Sequence, residues 1–254
     1  MSGHSKWANI KHKKEATDKK KGQAFSRLAK EIMVATKMGG KDPDSNIKLR
    51  MALASARAAN MPRDNIERAI KKGAGELGNV TYEEITYEGY GPAGIGIIVE
   101  CLTDNKNRTI GDVRMTFDRN GGNMAASGAV GRMFQRKCRF VIEGENADEE
   151  KLMDLVLDAG AEDISVDGDV AEILGAPEAF TDIAKALEDA GIECTEAGIV
   201  RQPDITVEIK EVSTAQQVLR LIDRLDELDD VQSVHSNEDI APEVMEQIDS
   251  MNEG

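Results

Sequence analysis

CRFVIEGENADEEKLMDLVLDAGAEDISVDGDVAEILGAPEAFTDIAKALEDAGIECTEAGIV, residues 138–200, decides the fold. It opens on an alternating apolar segment, Cys138 to Glu143, that suits a strand, and passes into helical spacing from Ala147 to Asp158. Two short strands follow, one around Ile164 and one at Val170 to Leu174, with the turn dipeptide Asp167-Gly168 between them. A helix from Pro177 to Ala190 and a strand from Ile192 to Val200 complete the run. The order is β-α-β-β-α-β, that of a ferredoxin-like unit.

The flanks of this unit belong together. After Pro203 come a strand at Ile205 to Ile209, a helix at Thr214 to Leu228 and a strand at Val231 to His235, which lack a complete sheet of their own. Upstream, Tyr82 to Tyr90 and Ile95 to Leu102 read as strands around a glycine-rich turn, followed by a helix at Arg108 to Arg119. Pairing the two halves gives a discontinuous α/β domain of residues 80–130 plus 203–240, with an acidic ferredoxin-like domain of residues 136–202 inserted into it. Residues 241–254 form an acidic tail that reads as a short or frayed helix.

Residues 1–76 have the helical period throughout. The apolar positions of Phe25 to Lys37 make one amphipathic helix, stopped by Gly39-Gly40. A second runs from Asn46 to Ala59 with Ile47, Met51, Ala54 and Ala58 on one face, and a third begins with Pro62 as its first residue and Gly73 as its C-cap. Three short helices need one another to bury their stripes, so a small bundle is expected. The fold class is α+β: an N-terminal three-helix bundle, a central α/β domain and an inserted ferredoxin-like α/β domain.

The 254 residues carry a formal net charge of −15, which on its face repels a polyanion. That figure averages opposed regions. Residues 1–76 hold 18 Lys and Arg against 8 Asp and Glu, a net of +10, whereas residues 141–254 hold 6 against 32, a net of −26. The basic charge is densest in an N-terminal arm, where Lys6, Lys11, Lys13, Lys14, Lys19, Lys20, Lys21, Arg27 and Lys30 face only Glu15 and Asp18. Trp7, the only tryptophan, lies inside this stretch with His4, Asn9, His12 and Gln23. Cationic side chains beside an indole suit phosphate neutralisation with base stacking. The alternative is that Trp7 anchors the arm on its own helices.

Other motifs weigh against catalysis. Gly89-Tyr90-Gly91-Pro92-Ala93-Gly94 has dinucleotide-loop spacing, but a strand follows where a helix N-terminus is required, so a hairpin turn is expected. Asp163, Ser165, Asp167 and Gly168 resemble the start of a calcium loop whose closing position is Leu174, so calcium is not expected. The histidines His4, His12 and His235 have no metal-ligand spacing, and Ser5 beside His4 lacks the elbow of a nucleophile. Neither metal nor cofactor is expected, and no enzymatic activity. Cys101, Cys138 and Cys194 read as buried reduced thiols, and with no apolar run near ~18 residues a soluble cytoplasmic protein is expected. The loop Thr103 to Thr109 is a candidate phosphate site through Asn105, Lys106, Asn107 and Arg108, or a turn capped by Asp104 and Asn107.

Five separated motifs in order resemble the YebC/PmpR family over essentially the whole length: Gly3 to Ile10 with Lys11 to Lys14, Asn60 to Ile70, Tyr87 to Pro92, Thr103 to Thr109, and Gly121-Gly122 with Gly128-Ala129-Val130 and Met133-Phe134. Ala129 stands where the family often has Ser. The resemblance implies a three-domain protein that regulates gene expression. Members are commonly described as DNA-binding transcriptional regulators. Bacterial members and their mitochondrial relatives, translational activators of a cytochrome oxidase subunit, are also associated with the ribosome and with relief of stalling at proline-rich sequences. The expected phosphate contacts are the arm with Arg27, Lys30, Arg57, Arg68, Lys71 and Lys72, and the expected partner is DNA or ribosomal RNA. The acidic half is expected to face a basic protein or to turn the basic end toward the polyanion. No membrane partner is expected.

Overall fold

The computed structural model describes residues 21–78 and 81–252. The first three elements are helices α1 (Lys21–Gly39), α2 (Ile47–Ala58) and α3 (Arg63–Gly73), with α1 packed on both others. Asn46 joins α1 to α2. Its side-chain oxygen caps α2 by accepting from the Leu49 amide at 3.0 Å, while its amide group donates to the carbonyls of Ala35 and Gly40, both at 2.8 Å. Every polar atom of this buried side chain is thereby occupied, which removes the desolvation cost of burying it.

Two helix ends in the bundle are Schellman motifs. At the end of α2 the Asn60 and Met61 amides donate back to Arg57 and Ala56, with Asn60 left-handed at φ 54° and Met61 buried. At the end of α3 the Gly75 and Glu76 amides donate to Lys72 and Lys71, and Gly75 takes the left-handed position at φ 83°. Pro62 therefore sits at the N-cap of α3, one residue before the expected place, and Gly73 is the last helical residue and not the cap. What Gly73 provides is clearance: a Cβ there would lie 2.4 Å from the Met33 carbonyl oxygen of α1.

The face of α2 also differs from expectation. Leu49, Ala52 and Ala56 are the buried residues, and Ile47 is 63% exposed. Met51 and Ala54 pack instead against the core of the inserted domain, so α2 carries two apolar faces at once.

The chain continues through β1 (Glu83–Tyr90), β2 (Gly96–Thr103), α4 (Lys106–Arg119), β3 (Asn123–Met124), β4 (Phe134–Glu143), α5 (Glu149–Val156), β5 (Ala161–Asp167), β6 (Val170–Gly175), α6 (Phe180–Asp189), β7 (Glu196–Pro203), β8 (Val207–Ile209), α7 (Val212–Asp226), β9 (Val231–Ser236), β10 (Glu238–Ile240) and α8 (Pro242–Asn252). By compactness it forms two units. One joins Tyr82–Gln135 to the described part of Gln202–Gly254, and the other joins Lys21–Thr81 to Arg136–Arg201.

In the first unit a four-stranded sheet has the order β3-β1-β2-β9, antiparallel throughout, so the strand before the insertion pairs with the strand after it. The turn Gly91 to Gly94 joins β1 to β2 as a hairpin with Ala93 at φ 58° and Gly94 at φ 74°, and no helix N-terminus is presented. Helices α4 and α7 cover Ile97, Val99 and Cys101 with Val113, Phe117, Val218 and Leu221. Residues 242–252, part of the expected acidic tail, are helical and bury Val244, Met245 and Ile248 in the same core. Burying three such side chains contributes several kcal/mol at roughly 25 cal/mol per Å².

In the second unit the order β5-β6-β4-β7 with α5 and α6 on one face is the ferredoxin-like arrangement. Phe140 and Phe180 stack at 4.9 Å between sheet and helix. Asp163, Ser165 and Asp167 lie along β5, and Gly168, left-handed at φ 60°, makes the hairpin to β6. Helix α2 seats on this domain through Met51, Ala54 and a hydrogen bond from the Ser55 hydroxyl to the Ala197 carbonyl at 2.6 Å.

Candidate nucleic-acid interface

The arm residues Lys6, Trp7, Lys11, His12, Lys13, Lys14, Lys19 and Lys20 lie outside the described residues, as does the side chain of Lys21, which begins α1. Within the bundle, Arg27 and Lys30 are half-buried on α1, one turn apart. Arg57, in the last turn of α2, is exposed and lies 3.5 Å from Glu188 of α6.

Helix α3 is the most clearly divided element. Ala69 is buried, and Ile66 and Ile70 are half-buried, on the side toward α1. Arg68 and Lys71 project from the opposite side together with Asp64, with Glu67 and Lys72 at its margins, while Arg63 is exposed in the first turn beside the buried stripe, three residues before Ile66. Asp64 in the first turn and the lysines in the last complement the helix dipole. Arg63 and Arg68 make no hydrogen bond or ion pair with any described residue. Arg63 and Arg68, which with Asn65 stand near the start of this helix as permissive base readers, lie five residues and so about 140° apart around it.

The loop Thr103 to Thr109 is occupied by the protein itself. Asn105 caps α4 by accepting from the Arg108 amide at 3.2 Å, in place of the expected Asp104 and Asn107. The Thr103 and Thr109 hydroxyls donate to Asp230 Oδ2 at 3.1 and 2.9 Å, and Arg108 reaches the same oxygen with Nη2 at 2.6 Å and Nε at 3.2 Å. Arg108 also pairs with Asp104 at 2.9 Å, and Lys106 pairs with Glu83. These hydrogen bonds hold the Arg108 guanidinium firmly protonated, its pKa raised first by Asp230 and then by Asp104. The geometry favours the self-satisfied reading of this loop, with Asn107 exposed at its rim.

Glu88 plays the corresponding part on β1. Its buried carboxylate accepts from the amides of Gly128 at 2.7 Å, Val130 at 2.6 Å and Gly131 at 2.8 Å. Two of the motifs that carry the family resemblance are thus one structural unit: the Glu88 motif holds the Gly128-Ala129-Val130 turn. Ala129 makes none of the three hydrogen bonds to Glu88, so alanine in place of serine leaves them intact.

Cys138 and Cys194 have their thiol pKa pushed up to about 11 by burial, and Cys194 is partly exposed where full burial was expected. His235 lies within 3.0 Å of Ser233 and 3.5 Å of Glu100, but both approach the same ring nitrogen, which is not a relay geometry. Among the described residues no group of His, Cys, Asp and Glu is arranged to hold a metal ion, and no helix is long and apolar enough to cross a membrane.

A basic helical bundle, a central α/β domain and an inserted acidic ferredoxin-like domain define a three-part α+β protein with its cationic groups gathered at one end of the sequence. Residues 5–76 match the model of the TACO1/YebC protein N-terminal domain, and residues 82–238 match that of the TACO1/YebC second and third domain. The chain belongs to the TACO1/YebC family. It is 53% identical over 246 residues to a probable transcriptional regulatory protein of Desulforapulum autotrophicum, covering 96% of this chain and 98% of the relative. It is 50% identical over 248 residues to another so named from Geobacter sulfurreducens, covering 98% and 100%. The crystal structure of a conserved hypothetical protein from Aquifex aeolicus superposes with a TM-score of 0.79 at 44% identity, covering 87% of this chain and 90% of that one.

Proposed function

We propose that the protein is a non-enzymatic, nucleic-acid-binding regulator of gene expression, acting on DNA as a transcriptional regulator through its basic N-terminal arm and bundle. The observation that carries this reading is the exposed cationic surface of α3, where Arg68 and Lys71 oppose the buried stripe and Arg63 and Lys72 flank it. Clustered Lys and Arg on one helix, in the same basic region of residues 1–76 as a +7 stretch over the first thirty, is the electrostatic footprint of phosphate binding. The regulatory names of relatives at 50% identity and above support it. The acidic inserted domain, which repels phosphate, is assigned to protein contacts or to orienting the basic end.

Crosslinking in cells followed by sequencing of bound DNA and RNA tests the reading. Enrichment of promoter DNA is expected, enrichment of ribosomal RNA would redirect the proposal to translation, and enrichment of neither would end it. Deleting residues 1–21 should lower affinity and flatten its salt dependence. An unchanged slope would remove the arm from the mechanism.

A further inference from the structure

The sheet of the first unit has an open edge. Strand β3 pairs with β1 only at Gly89 and Tyr90, and the Ala125 amide extends this by one bond to the Glu88 carbonyl. Toward the N-terminus of β1 no described strand lies on that side. The ladder alternates: Gly91 donates toward β2, to the Ile95 carbonyl, and Glu88 bonds away from it, so Thr86 also directs its amide and carbonyl outward. Thr86 is exposed.

Beside this edge runs a groove of about 500 Å³. Its floor is the edge at Thr86 and Tyr87, and its wall is α4, which contributes Ile110, Arg114 and Asp118 in successive turns. Met124 closes the end where β3 departs. Arg114 and Asp118 make no hydrogen bond or ion pair with any described residue.

We infer that this groove is a strand-addition site for an extended segment of a partner protein, one bearing an apolar, an acidic and a basic side chain at alternate positions. Main-chain bonds to Thr86 would supply register, as in other cases where a peptide extends a sheet. The side chains follow from spacing. Helix positions four apart rise about 6 Å, and alternate strand positions are about 6.6 Å apart, so one peptide face can meet Ile110, Arg114 and Asp118 in turn. An apolar residue lies over Ile110 and Tyr87, an acidic one against Arg114, and a basic one against Asp118. An edge without a partner strand is a liability for aggregation, and here it is lined with two opposite charges, Arg114 and Asp118, whose side chains pair with no described residue and select against a purely apolar strand.

The test uses the full-length isotope-labelled protein and capped heptapeptides. The matched peptide is Thr-Val-Thr-Glu-Thr-Lys-Thr, tried also in reversed order so that both strand directions are sampled. The control has Glu and Lys interchanged. Titration to 5 mM should shift the backbone amide signals of residues 83–88 and bind the matched peptide about tenfold more tightly than the control. The double variant Arg114→Asp with Asp118→Arg should reverse that preference. Thr86→Pro, tolerated on an edge but blocking a main-chain donor, should weaken both peptides about tenfold with other signals unmoved. No shift by 5 mM, shifts elsewhere only, or equal affinity for matched and control peptides would overturn the inference. So would self-association of the peptide-free protein that Thr86→Pro abolishes, which would assign the edge to a second copy.

Discussion

Replacing Arg63, Arg68, Lys71 and Lys72 together by Gln removes the four cations that α3 carries around its buried stripe and leaves Ala69, Ile66 and Ile70 against α1. Each duplex phosphate neutralised contributes about 0.9 to the slope of log affinity against log salt. Raising salt from about 50 to 200 mM changes its logarithm by about 0.6, so each contact accounts for roughly a 3.5-fold loss over that range, and four account for roughly 150-fold. The wild-type advantage at about 50 mM should therefore shrink by up to roughly 150-fold at 200 mM, with the slope of the variant lower by as much as ~3.6. Fluorescence anisotropy with a labelled duplex, titrated at five salt concentrations, reads both quantities. Helical content by circular dichroism should be unchanged, since all four side chains lie at the surface or its margin. A slope that changes by less than ~0.5 would refute the placement of phosphate on this helix, whatever the affinity did.

Asp230→Ala should cost about 2 kcal/mol, because it removes the acceptor that the Thr103 and Thr109 hydroxyls share and leaves them only each other and the Asn105 backbone, with Arg108 left to Asp104; calorimetry should show a fall of roughly 4–8 °C, and a fall under about 2 °C would count against the hub. Glu88→Gln places an amide donor among three backbone donors and should speed hydrogen exchange at Gly128, Val130 and Gly131, with protection of those amides left intact as the contrary result. Gly73→Ala should destabilise by pushing α3 off the Met33 carbonyl, whereas Gly111→Ala, in the open interior of α4, should stabilise by about 0.5–1 kcal/mol; denaturant midpoints moving in the same direction would contradict the clearance argument. The thiols of Cys138 and Cys194 have folded pKa values raised from 9.0 to about 11, so the unfolded chain loses their protons first. Stability gained from keeping them neutral is present below pH 9 and lost as pH rises through about 9 to 11, and replacing both by Ala should flatten urea midpoints across that window.

Much of the architecture was legible because period and turn chemistry agree locally. Asp167-Gly168 between two alternating runs specified a hairpin, and the incomplete β-α-β after Pro203 required a partner that only residues 80–120 could supply. The reading failed where one element serves two neighbours. Helix α2 has a Leu49/Ala52/Ala56 stripe and a Met51/Ala54 stripe, and a single-face reading follows the longer side chains to the wrong one. It failed again where an ionised group is buried: Asp230 ends the run Asp226-Glu227-Leu228-Asp229-Asp230, in which nothing local separates the hub from its solvated neighbours. Glu88 was hidden similarly, since its partners are backbone amides some forty residues away. For the candidate interface the sequence puts Arg63, Arg68, Lys71 and Lys72 on one helix, but how they divide around it follows only once Pro62 is fixed as the cap and the helix phase is set.

The seating of α2 on the inserted domain alters what the opposed charges mean. A basic bundle and an acidic domain in one compact unit might be expected to meet through ion pairs, yet the contact is made by Met51, Ala54 and the Ser55 hydroxyl, and Arg57 to Glu188 is an exposed pair at 3.5 Å. An exposed pair contributes about 0–1 kcal/mol, so the apolar seat and the part-buried hydrogen bond contribute more to holding the two together than that pair does. The opposed charges act over a distance set by salt: the screening length is about 8 Å under physiological conditions and about 30 Å at 10 mM. At physiological salt a phosphate approaching α3 responds mainly to the charges within that length, the cations Arg68 and Lys71 and also Asp64 and Glu67 of the same helix. The net charge of −15 therefore governs long-range approach in dilute salt and has less influence on contact at the bundle, whose described residues 21–76 hold 12 Lys and Arg against 6 Asp and Glu.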